Sequence, residues 1–192
     1  GHSDSLKGEE VLEYNPEEAK RLWAEADKIA PWSGTFKISY NADGGHQAWV
    51  DAVANSIKNT LGIEAEGNAY PDFKSLRDDV TNRRLDGAFR TGWQADYPSM
   101  GNFLSPLYST NGGSNDGDYS NPEFDALLKK AANAGDVDQA NAIYNQAQEI
   151  LLQDLPAIPL WYANVTGGYS ENVDNVHFSW KSVPLFHEIT KK

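Results

Sequence analysis

Three side chains with complementary chemistry lie close together in the sequence, at Arg90, Trp93 and Asp96. A carboxylate can pair with an ammonium group, and partial removal from water strengthens that pair. A guanidinium can hold a neighbouring carboxylate in place, or it can bind the carboxylate of a ligand through two parallel hydrogen bonds. An indole offers a wide apolar face to organic groups. Each residue also has a purely structural interpretation. Arg90 could be an arginine at the end of a strand, Trp93 a core residue and Asp96 a turn residue.

Alternating helices and strands are predicted to position this segment. Short apolar runs predict strands over 35–40, 63–66, 87–93, 158–162 and 176–180. Capping residues and apolar residues at helical spacing predict helices that begin near Pro16, Gln47, Asp72, Pro122 and Asp136. This alternation indicates an α/β fold. In such folds ligands bind at loops that follow the carboxyl ends of strands, and the loop after Arg90 is one of these loops.

Two of the predicted helices carry inward-facing stripes of apolar residues. The first stripe consists of Trp49, Val53, Ile57 and Leu61, with Gly62 as the expected stop. The second stripe consists of Phe73, Leu76 and Val80. Both stripes are expected to contribute to the core.

The composition is that of a globular protein, with 192 residues of which 40% are hydrophobic and 23% charged. This length predicts one domain, or one domain with a small appendage. The formal net charge of −12 argues against a nucleic-acid partner and against docking on anionic lipid, because both need a basic face. No apolar run approaches the roughly 18 residues of a membrane span.

The sequence offers no catalytic or metal-binding motif. It contains no cysteine, and His2, His46, His177 and His187 lack the spacing of metal ligands. Asp116, Gly117 and Glu123 match the last part of a calcium-binding loop, but Gly112 occupies the first ligand position. We therefore predict no metal, no cofactor and no catalytic residue.

Five segments, taken in order, resemble the peptide-binding group of family 5 of the bacterial extracellular solute-binding proteins. The most specific is 92–98, with the sequence GWQADYP, which is similar to the GWxADYPDP signature of that group. The other segments are 14–22, 54–66, 119–128 and 157–162. One departure is that Ser99 and Met100 stand where the family usually has Asp-Pro, which leaves the peptide specificity open.

The resemblance implies a lobe of a type II periplasmic-binding-protein-like fold, with a mixed sheet flanked by helices. Family members are usually more than twice as long, so the chain is expected to be a fragment that lacks the N-terminal lobe. Residues 1–13 are expected to be a tag remnant and flexible lead-in, and 14–165 the C-terminal ligand-binding lobe. Residues 166–192 are expected to form a tail that returns toward the missing lobe.

The function implied by the resemblance is that of the substrate-binding component of a peptide ABC importer, not an enzyme. Asp96 would anchor the α-ammonium group of the peptide, with Arg90 as its supporting or carboxylate-binding base. The other ligand-binding candidates are Trp93, Tyr97, Trp161 and Tyr162. At least one of Tyr97, Trp161 and Tyr162 is expected to belong to the core.

The implied partners are a peptide ligand and the permease subunits of an ABC transporter. The protein is expected to be monomeric and to lie outside the cytoplasm, lipid-anchored in its full-length form. Three alternatives remain open at this point. The same lobe could bind an oligosaccharide or a nickel complex, or the chain could be a hydrolase domain whose paired carboxylates lie about 5–10 Å apart. It could also be a purely structural module, which would bury Arg90, Trp93 and Asp96 against one another.

Overall fold

The computed structural model of the chain describes residues 6–164 and 166–192. These residues form two compact units, one of which is Glu13–Gly92. The other unit comprises Trp93–Lys192 together with the lead-in up to Leu12. The lobe and tail boundaries expected from the sequence concern a longer protein and stay a prediction. No helix in the described part of the chain combines the length and apolar character needed to cross a membrane.

Helices and strands alternate in the first unit, and helices dominate the second. The helices among the described residues are α1 Pro16–Ile29, α2 Gln47–Leu61, α3 Phe73–Thr81, α4 Gly101–Tyr108, α5 Pro122–Ala132 and α6 Val137–Asp154. The strands are β1 Thr35–Asn41, β2 Glu64–Tyr70, β3 Ala88–Phe89, β4 Val173–Asp174 and β5 Thr190–Lys191. Short 3-10 helices span Glu9–Leu12 and Ala42–Gly44.

The sheet of the Glu13–Gly92 unit is parallel, with the strand order β2-β1-β3. In β1, Thr35 lies opposite Glu64 at one end and Asn41 lies opposite Tyr70 at the other. The chain passes through α2 to reach β2 on one side of β1, and then through α3 to reach β3 on the other side. The carboxyl ends of β1 and β3 therefore border the point where the strand order reverses, the place where open α/β sheets bind ligands.

Helix α2 covers this sheet as its sequence predicts. Val50 and Ala54 are buried, and Trp49, Val53 and Ile57 pack against the cluster that includes Ile38 and Tyr40 of β1. The helix ends at Gly62, whose backbone φ of 71° lies in the left-handed region that favours glycine. The predicted start and stop of α2 are confirmed.

Helix α3 confirms two of its three predicted core residues. Asp72 caps the helix by accepting a hydrogen bond from the Ser75 N–H at 2.7 Å, and Leu76 and Val80 are buried. The prediction that Phe73 points into the core is wrong, because its side chain is 49% exposed. Phe73 opens the helix, and its N–H lies 3.4 Å from a carboxylate oxygen of Asp43, beyond the end of β1. The first turn of α3 therefore lies beyond the carboxyl end of β1, outside the buried core.

Helices α4, α5 and α6 build the core of the second unit. Asn121 caps α5 by accepting hydrogen bonds from the Glu123 and Phe124 N–H groups, as its sequence predicts. The buried core cluster consists of Met100, Leu104, Phe124, Leu128 and Ala147.

Helix α4 was absent from the sequence-based prediction because two of its residues, Gly101 and Pro106, disfavour helices in isolation. Packing explains the glycine. A Cβ atom at position 101 would lie 2.5 Å from the hydroxyl oxygen of Tyr144, which belongs to α6. Gly101 therefore allows α4 to approach α6 closely.

Two strand predictions in the C-terminal part of the chain are wrong. Residues 158–162 are irregular and solvent-exposed, and within 176–180 only Phe178 forms a bridge, with Pro184. A strand needs a neighbour that satisfies its backbone hydrogen bonds, and apolar composition alone does not supply one. Within residues 166–192 the antiparallel pair is instead β4 with β5. The predicted strand over 87–93 is also shorter than expected, since only Ala88–Phe89 pairs as a strand.

Candidate functional site

Arg90 lies at the carboxyl end of β3, directly beside the point where the strand order reverses. Its backbone N–H donates to the Ser39 carbonyl at 2.9 Å, which extends the pairing with β1 by one residue. Its Nη1 donates to Oδ1 of Asn41 at 3.3 Å, and the guanidinium carbon lies 6.0 Å from the ring centroid of Phe73. Both contacts fix the side chain in place without neutralising its charge.

The Arg90 guanidinium has no ion-pair partner within its own unit, all of whose residues are described. It is half-buried, and this burial lowers the pKa of Arg90, because removal from water disfavours the charged form. A partly desolvated cation that lacks a carboxylate partner is suited to receive an external one.

Asn41 connects Arg90 to the loop that follows β1. The Asn41 side chain is buried, and its Nδ2 donates to Oδ1 of Asp43 at 2.6 Å. The other carboxylate oxygen of Asp43 accepts from the backbone N–H of Phe73 at 3.4 Å. The guanidinium is therefore positioned by a chain of contacts that involves β1, the following loop and α3.

His46 also lies beside this edge of the sheet. Its Nδ1 accepts a hydrogen bond from the Trp49 indole at 3.1 Å. Burial, and secondly the positive charge of Arg90, lower the pKa of His46, whereas Asp43 raises it to a smaller extent. The imidazole is therefore neutral at neutral pH. Sequence reasoning treated His46 only as a non-ligand for metals, although its position just after β1 was a signal for the site.

Trp93 and Asp96 belong to the second unit, where one side chain holds both of them. Oδ1 of Asn102 accepts a hydrogen bond from Nε1 of Trp93 at 3.3 Å and another from the backbone N–H of Asp96 at 2.8 Å. The Trp93 side chain is half-buried, and Asn102 is only 4% exposed. Sequence reasoning missed Asn102, since it lies in the unpredicted helix α4.

Asp96 is exposed, in contrast to the asparagine that holds its backbone. Among the described residues of its own unit, no side chain forms a hydrogen bond or an ion pair with the Asp96 carboxylate. This arrangement fixes the backbone of Asp96 and leaves its charge accessible to a cation. Burial of Arg90, Trp93 and Asp96 in mutual contacts would have favoured a purely structural module, and the exposure of Asp96 does not meet that condition.

A distant turn supports the same loop from another direction. Nε2 of Gln94 donates to the backbone carbonyl of Lys181 at 2.5 Å. Lys181 lies in a turn in which the Ser179 N–H donates to the Val183 carbonyl, and its ammonium lies 5.2 Å from the centroid of the Trp180 ring. The loop from Trp93 to Asp96 is thus held both by α4 and by this turn.

The remaining aromatic candidates are all at the surface. Tyr97 is 51% exposed, Trp161 60% and Tyr162 84%, so the expectation that at least one of them belongs to the core is wrong. Trp161 and Tyr162 lie in irregular chain after α6. Each of the three presents an aromatic surface to solvent.

Other parts of the second unit offer less to a charged organic ligand. One open depression of about 620 Å³ is lined by residues of α5 and α6, among them Lys129, Lys130 and Ile143. A second depression of about 390 Å³ lies between α4 and α5. Neither includes a predicted site residue. In the described part of the chain, no three His, Asp or Glu side chains converge as metal ligands would.

Comparison with known sequences identifies a family. The sequence model described as "Bacterial extracellular solute-binding proteins, family 5 Middle" matches residues 1–115. The chain is 32% identical over 172 residues to the periplasmic oligopeptide-binding protein OppA of Salmonella typhimurium, an alignment that covers 84% of the chain and 31% of the relative. It is 30% identical over 146 residues to the oligopeptide-binding protein OppA of Bacillus subtilis, which covers 73% of the chain and 26% of the relative.

Comparison with solved structures supports the fold. A dipeptide-binding protein from Pseudoalteromonas sp. SM9913, solved in complex with Met-Leu, superposes with a TM-score of 0.73 at 24% identity. The superposition covers 93% of the chain and 36% of that protein. The chain therefore spans about a third or less of the length of these two OppA relatives, and it has the α/β fold of part of a periplasmic peptide-binding protein, as predicted.

Proposed function

Since this chain belongs to family 5 of the bacterial extracellular solute-binding proteins, we propose that it forms part of a peptide-capturing component of an ABC importer. The family assignment made from the sequence is confirmed. Proteins of this family bind solutes and are not enzymes, which excludes the hydrolase hypothesis.

The observation that carries the proposal is the state of Asp96. Its backbone is held by Asn102, while its carboxylate is exposed and has no described partner in its own unit. A carboxylate fixed in this way can receive the α-ammonium group of a peptide without a large loss of conformational entropy. The negative net charge of the chain is compatible with a cationic group.

Arg90 is proposed to bind a carboxylate of the ligand. Its guanidinium is held by Asn41 and Phe73 and has no ion-pair partner in its unit. Arginine presents a planar fork of N–H groups that matches a carboxylate, and such charge-assisted hydrogen bonds are stronger than neutral ones. The sequence left open whether this residue supports Asp96 or binds the ligand; the absence of an ion-pair partner among the residues of its own unit is compatible with ligand binding.

The aromatic residues are proposed to provide apolar contact to the peptide. Tyr97, Trp161 and Tyr162 are exposed, and Trp93 is half-buried with its Nε1 already bonded to Asn102. Their rings can contact many side chains without selecting one of them. A binder of varied peptides needs such tolerant surfaces, with its few charged groups reserved for the common ends of the ligand.

In the longer protein, two lobes are proposed to close over the peptide by hinge motion and then dock on the permease. The chain by itself is expected to bind weakly, because it contains only part of the cleft. The Salmonella relative is periplasmic, and the proposed location of this protein is likewise outside the cytoplasm, with a lipid anchor on the full-length form.

Calorimetric titration of the longer protein tests the proposal. A set of short peptides and their N-acetylated forms would be compared on the parent protein and on Asp96→Asn. We expect acetylation to weaken binding about tenfold or more, since removing one partner of a charged hydrogen bond costs about 1.5–3 kcal/mol. Asp96→Asn should remove most of this difference, whereas Asp86→Asn, another exposed aspartate, should leave it intact.

Two outcomes would contradict the proposal. If the longer protein binds no peptide but binds an oligosaccharide or a nickel complex, the peptide proposal is wrong and the alternative within the same fold is correct. If peptides bind but acetylation has no effect, the role of Asp96 as an ammonium anchor is wrong.

A further inference from the structure

We propose that Asn102 is a positioning residue for ligand binding, which orients Trp93 and Asp96 together through a single oxygen atom. This inference rests on the proposed function for its biological meaning, but the geometry that supports it is independent of any ligand. Residues 92–98 resemble the family signature, and Asn102 lies outside that segment.

The two hydrogen bonds converge on one acceptor. Oδ1 of Asn102 receives the Trp93 indole N–H at 3.3 Å and the Asp96 backbone N–H at 2.8 Å. Both partners are donors, and a carboxamide oxygen has two lone pairs, so one oxygen can satisfy both. The relative placement of the indole and of the Asp96 backbone is therefore set by this oxygen.

Asn102 itself is held by a rigid part of the fold. It lies in the first turn of α4, between Met100 and Leu104, which both belong to the buried core cluster. Its neighbour Gly101 lies against Tyr144 so closely that no Cβ atom would fit. The Asn102 backbone N–H also donates to the Ser99 carbonyl at 3.1 Å. The acceptor oxygen thus has a well-defined position relative to the core.

The consequence for binding is preorganisation. Residues 91–96 have no regular secondary structure, and a carboxylate on a free loop would lose conformational freedom each time it bound an ammonium group. Because Asn102 already orders the backbone of Asp96, that loss is incurred on folding and not on binding. The second hydrogen bond to the same oxygen orients the Trp93 indole, so the charge and the apolar surface are presented to the ligand together.

The first test measures geometry in this chain without a ligand. In a ¹H–¹⁵N spectrum, the Trp93 indole N–H and the Asp96 amide should be protected from solvent exchange. Asn102→Ala should speed their exchange about fivefold or more, as expected for the loss of a hydrogen bond. Asn102→Asp keeps an acceptor oxygen at the same place and should restore protection of both groups.

Asn115→Ala is the matched control. Asn115 is as buried as Asn102 and holds a different loop through bonds to the Ser109 and Tyr119 backbone. Its replacement should destabilise the unit while leaving the protection of the Trp93 and Asp96 groups intact at low temperature. If Asn102→Ala does not fold, the protection in the unaltered chain decides: rapid exchange of both groups there would overturn the proposal.

The second test measures binding in the longer protein. The ratio of affinities for a free peptide and its N-acetylated form should fall about fivefold or more in Asn102→Ala and be retained in Asn102→Asp and Asn115→Ala. If the parent protein shows a large ratio and Asn102→Ala leaves it unchanged, the positioning role is wrong and the proposed function stands. If the parent shows no such ratio, the Asp96 anchor is wrong, while the exchange experiment still decides whether Asn102 orders the loop.

Discussion

The Arg90 guanidinium donates a hydrogen bond to the buried carboxamide of Asn41, at the edge where β1 and β3 both end. The Asn41 side chain therefore contacts two charged residues: its oxygen accepts from Arg90, and its amide nitrogen donates to Asp43. A small neutral side chain can hold a cation in place without cancelling its charge. This relationship orders Arg90 and leaves it without an ion-pair partner in its own unit, as its proposed role in carboxylate binding requires.

Replacement of Asn41 by alanine is predicted to destabilise the Glu13–Gly92 unit. The change removes the hydrogen bond that the half-buried Arg90 guanidinium makes to Asn41 and the one that Asn41 makes to Asp43, which costs about 1–3 kcal/mol of unfolding free energy. Urea unfolding followed by tryptophan fluorescence provides the measurement. Asn55→Ala, on the exposed face of α2, should change stability by less than about 0.5 kcal/mol. Equal effects of the two variants would contradict the role of Asn41.

The proposed role of Arg90 leads to a prediction about the carboxyl end of the ligand. In the longer protein, Arg90→Gln should weaken binding of a peptide with a free C-terminal carboxylate by about tenfold, because a charge-assisted hydrogen bond contributes about 1.5–3 kcal/mol. Binding of the corresponding peptide amide should change little. Arg21→Gln, which removes an exposed arginine on α1, serves as the control for charge. Equal weakening of the acid and the amide would refute carboxylate recognition by Arg90.

His46 predicts a pH dependence of stability. Its pKa in the folded chain lies below the ordinary value of 6.5, mainly because of burial and then because of Arg90, with Asp43 acting in the opposite direction. As the pH falls below about 6.5, the unfolded chain takes up a proton that the folded chain resists. The neutral imidazole therefore makes its full contribution to the free energy of unfolding above about pH 6.5, and this contribution decreases as the pH falls below that value.

The measurement is the urea midpoint at several values between about pH 7.5 and pH 5.5. His46→Gln should flatten the decrease in this window, whereas His187→Gln, at an exposed position, should not. Asp72 and Asp79 also have lowered pKa values, from hydrogen bonds to Ser75 and Arg84, but they lose their stabilisation only in more acidic solution. A decrease that persists unchanged in His46→Gln would show that another group is responsible.

The helix caps allow a comparison within one chain. Asn121 accepts from two backbone N–H groups and also donates to Asp154 at 3.0 Å, and the helix that it caps contains the fully buried Phe124. Asn15 accepts from one N–H, and α1 has no buried residue. We expect Asn121→Ala to cost about 1–2 kcal/mol and Asn15→Ala about 0.5 kcal/mol or less. Circular dichroism during urea unfolding measures both, and a larger cost at Asn15 would contradict the comparison.

Local signals in the sequence predicted the helices that have clear caps and stripes. Asn15 with Pro16, and Asn121 with Pro122, both act as expected, and α2 begins and ends where Gln47 and Gly62 place it. These features depend on neighbouring residues only, so a single sequence contains the information. Helix α4 depends instead on the fit of Gly101 against Tyr144, a contact that no local pattern reveals.

The candidate site shows the same difference between features set by the local sequence and features set by tertiary packing. Asp96, Trp93 and Arg90 were proposed as site residues because they lie in a motif, and their residue types suggested what they could bind. The residues that hold them were missed. Asn41 and Asn102 are asparagines without a distinctive pattern, and only tertiary structure shows that each accepts a hydrogen bond from a site residue. The aromatic residues Trp161 and Tyr162 were assigned to a strand, whereas residues 158–162 are irregular and exposed.

The two supports of the loop around Asp96 differ greatly in the time at which they become available. Asn102 is six residues from Asp96, whereas Lys181 is 87 residues from Gln94. At a synthesis rate of about 5–20 residues per second, a ribosome needs roughly 4–17 s to reach Lys181 after Gln94. During synthesis the local support can form once α6, against which α4 packs, has been made, while the distant one must wait for Lys181. Pulse-labelling of nascent chains is expected to find the Asp96 backbone partly ordered before the contact between Gln94 and Lys181 forms.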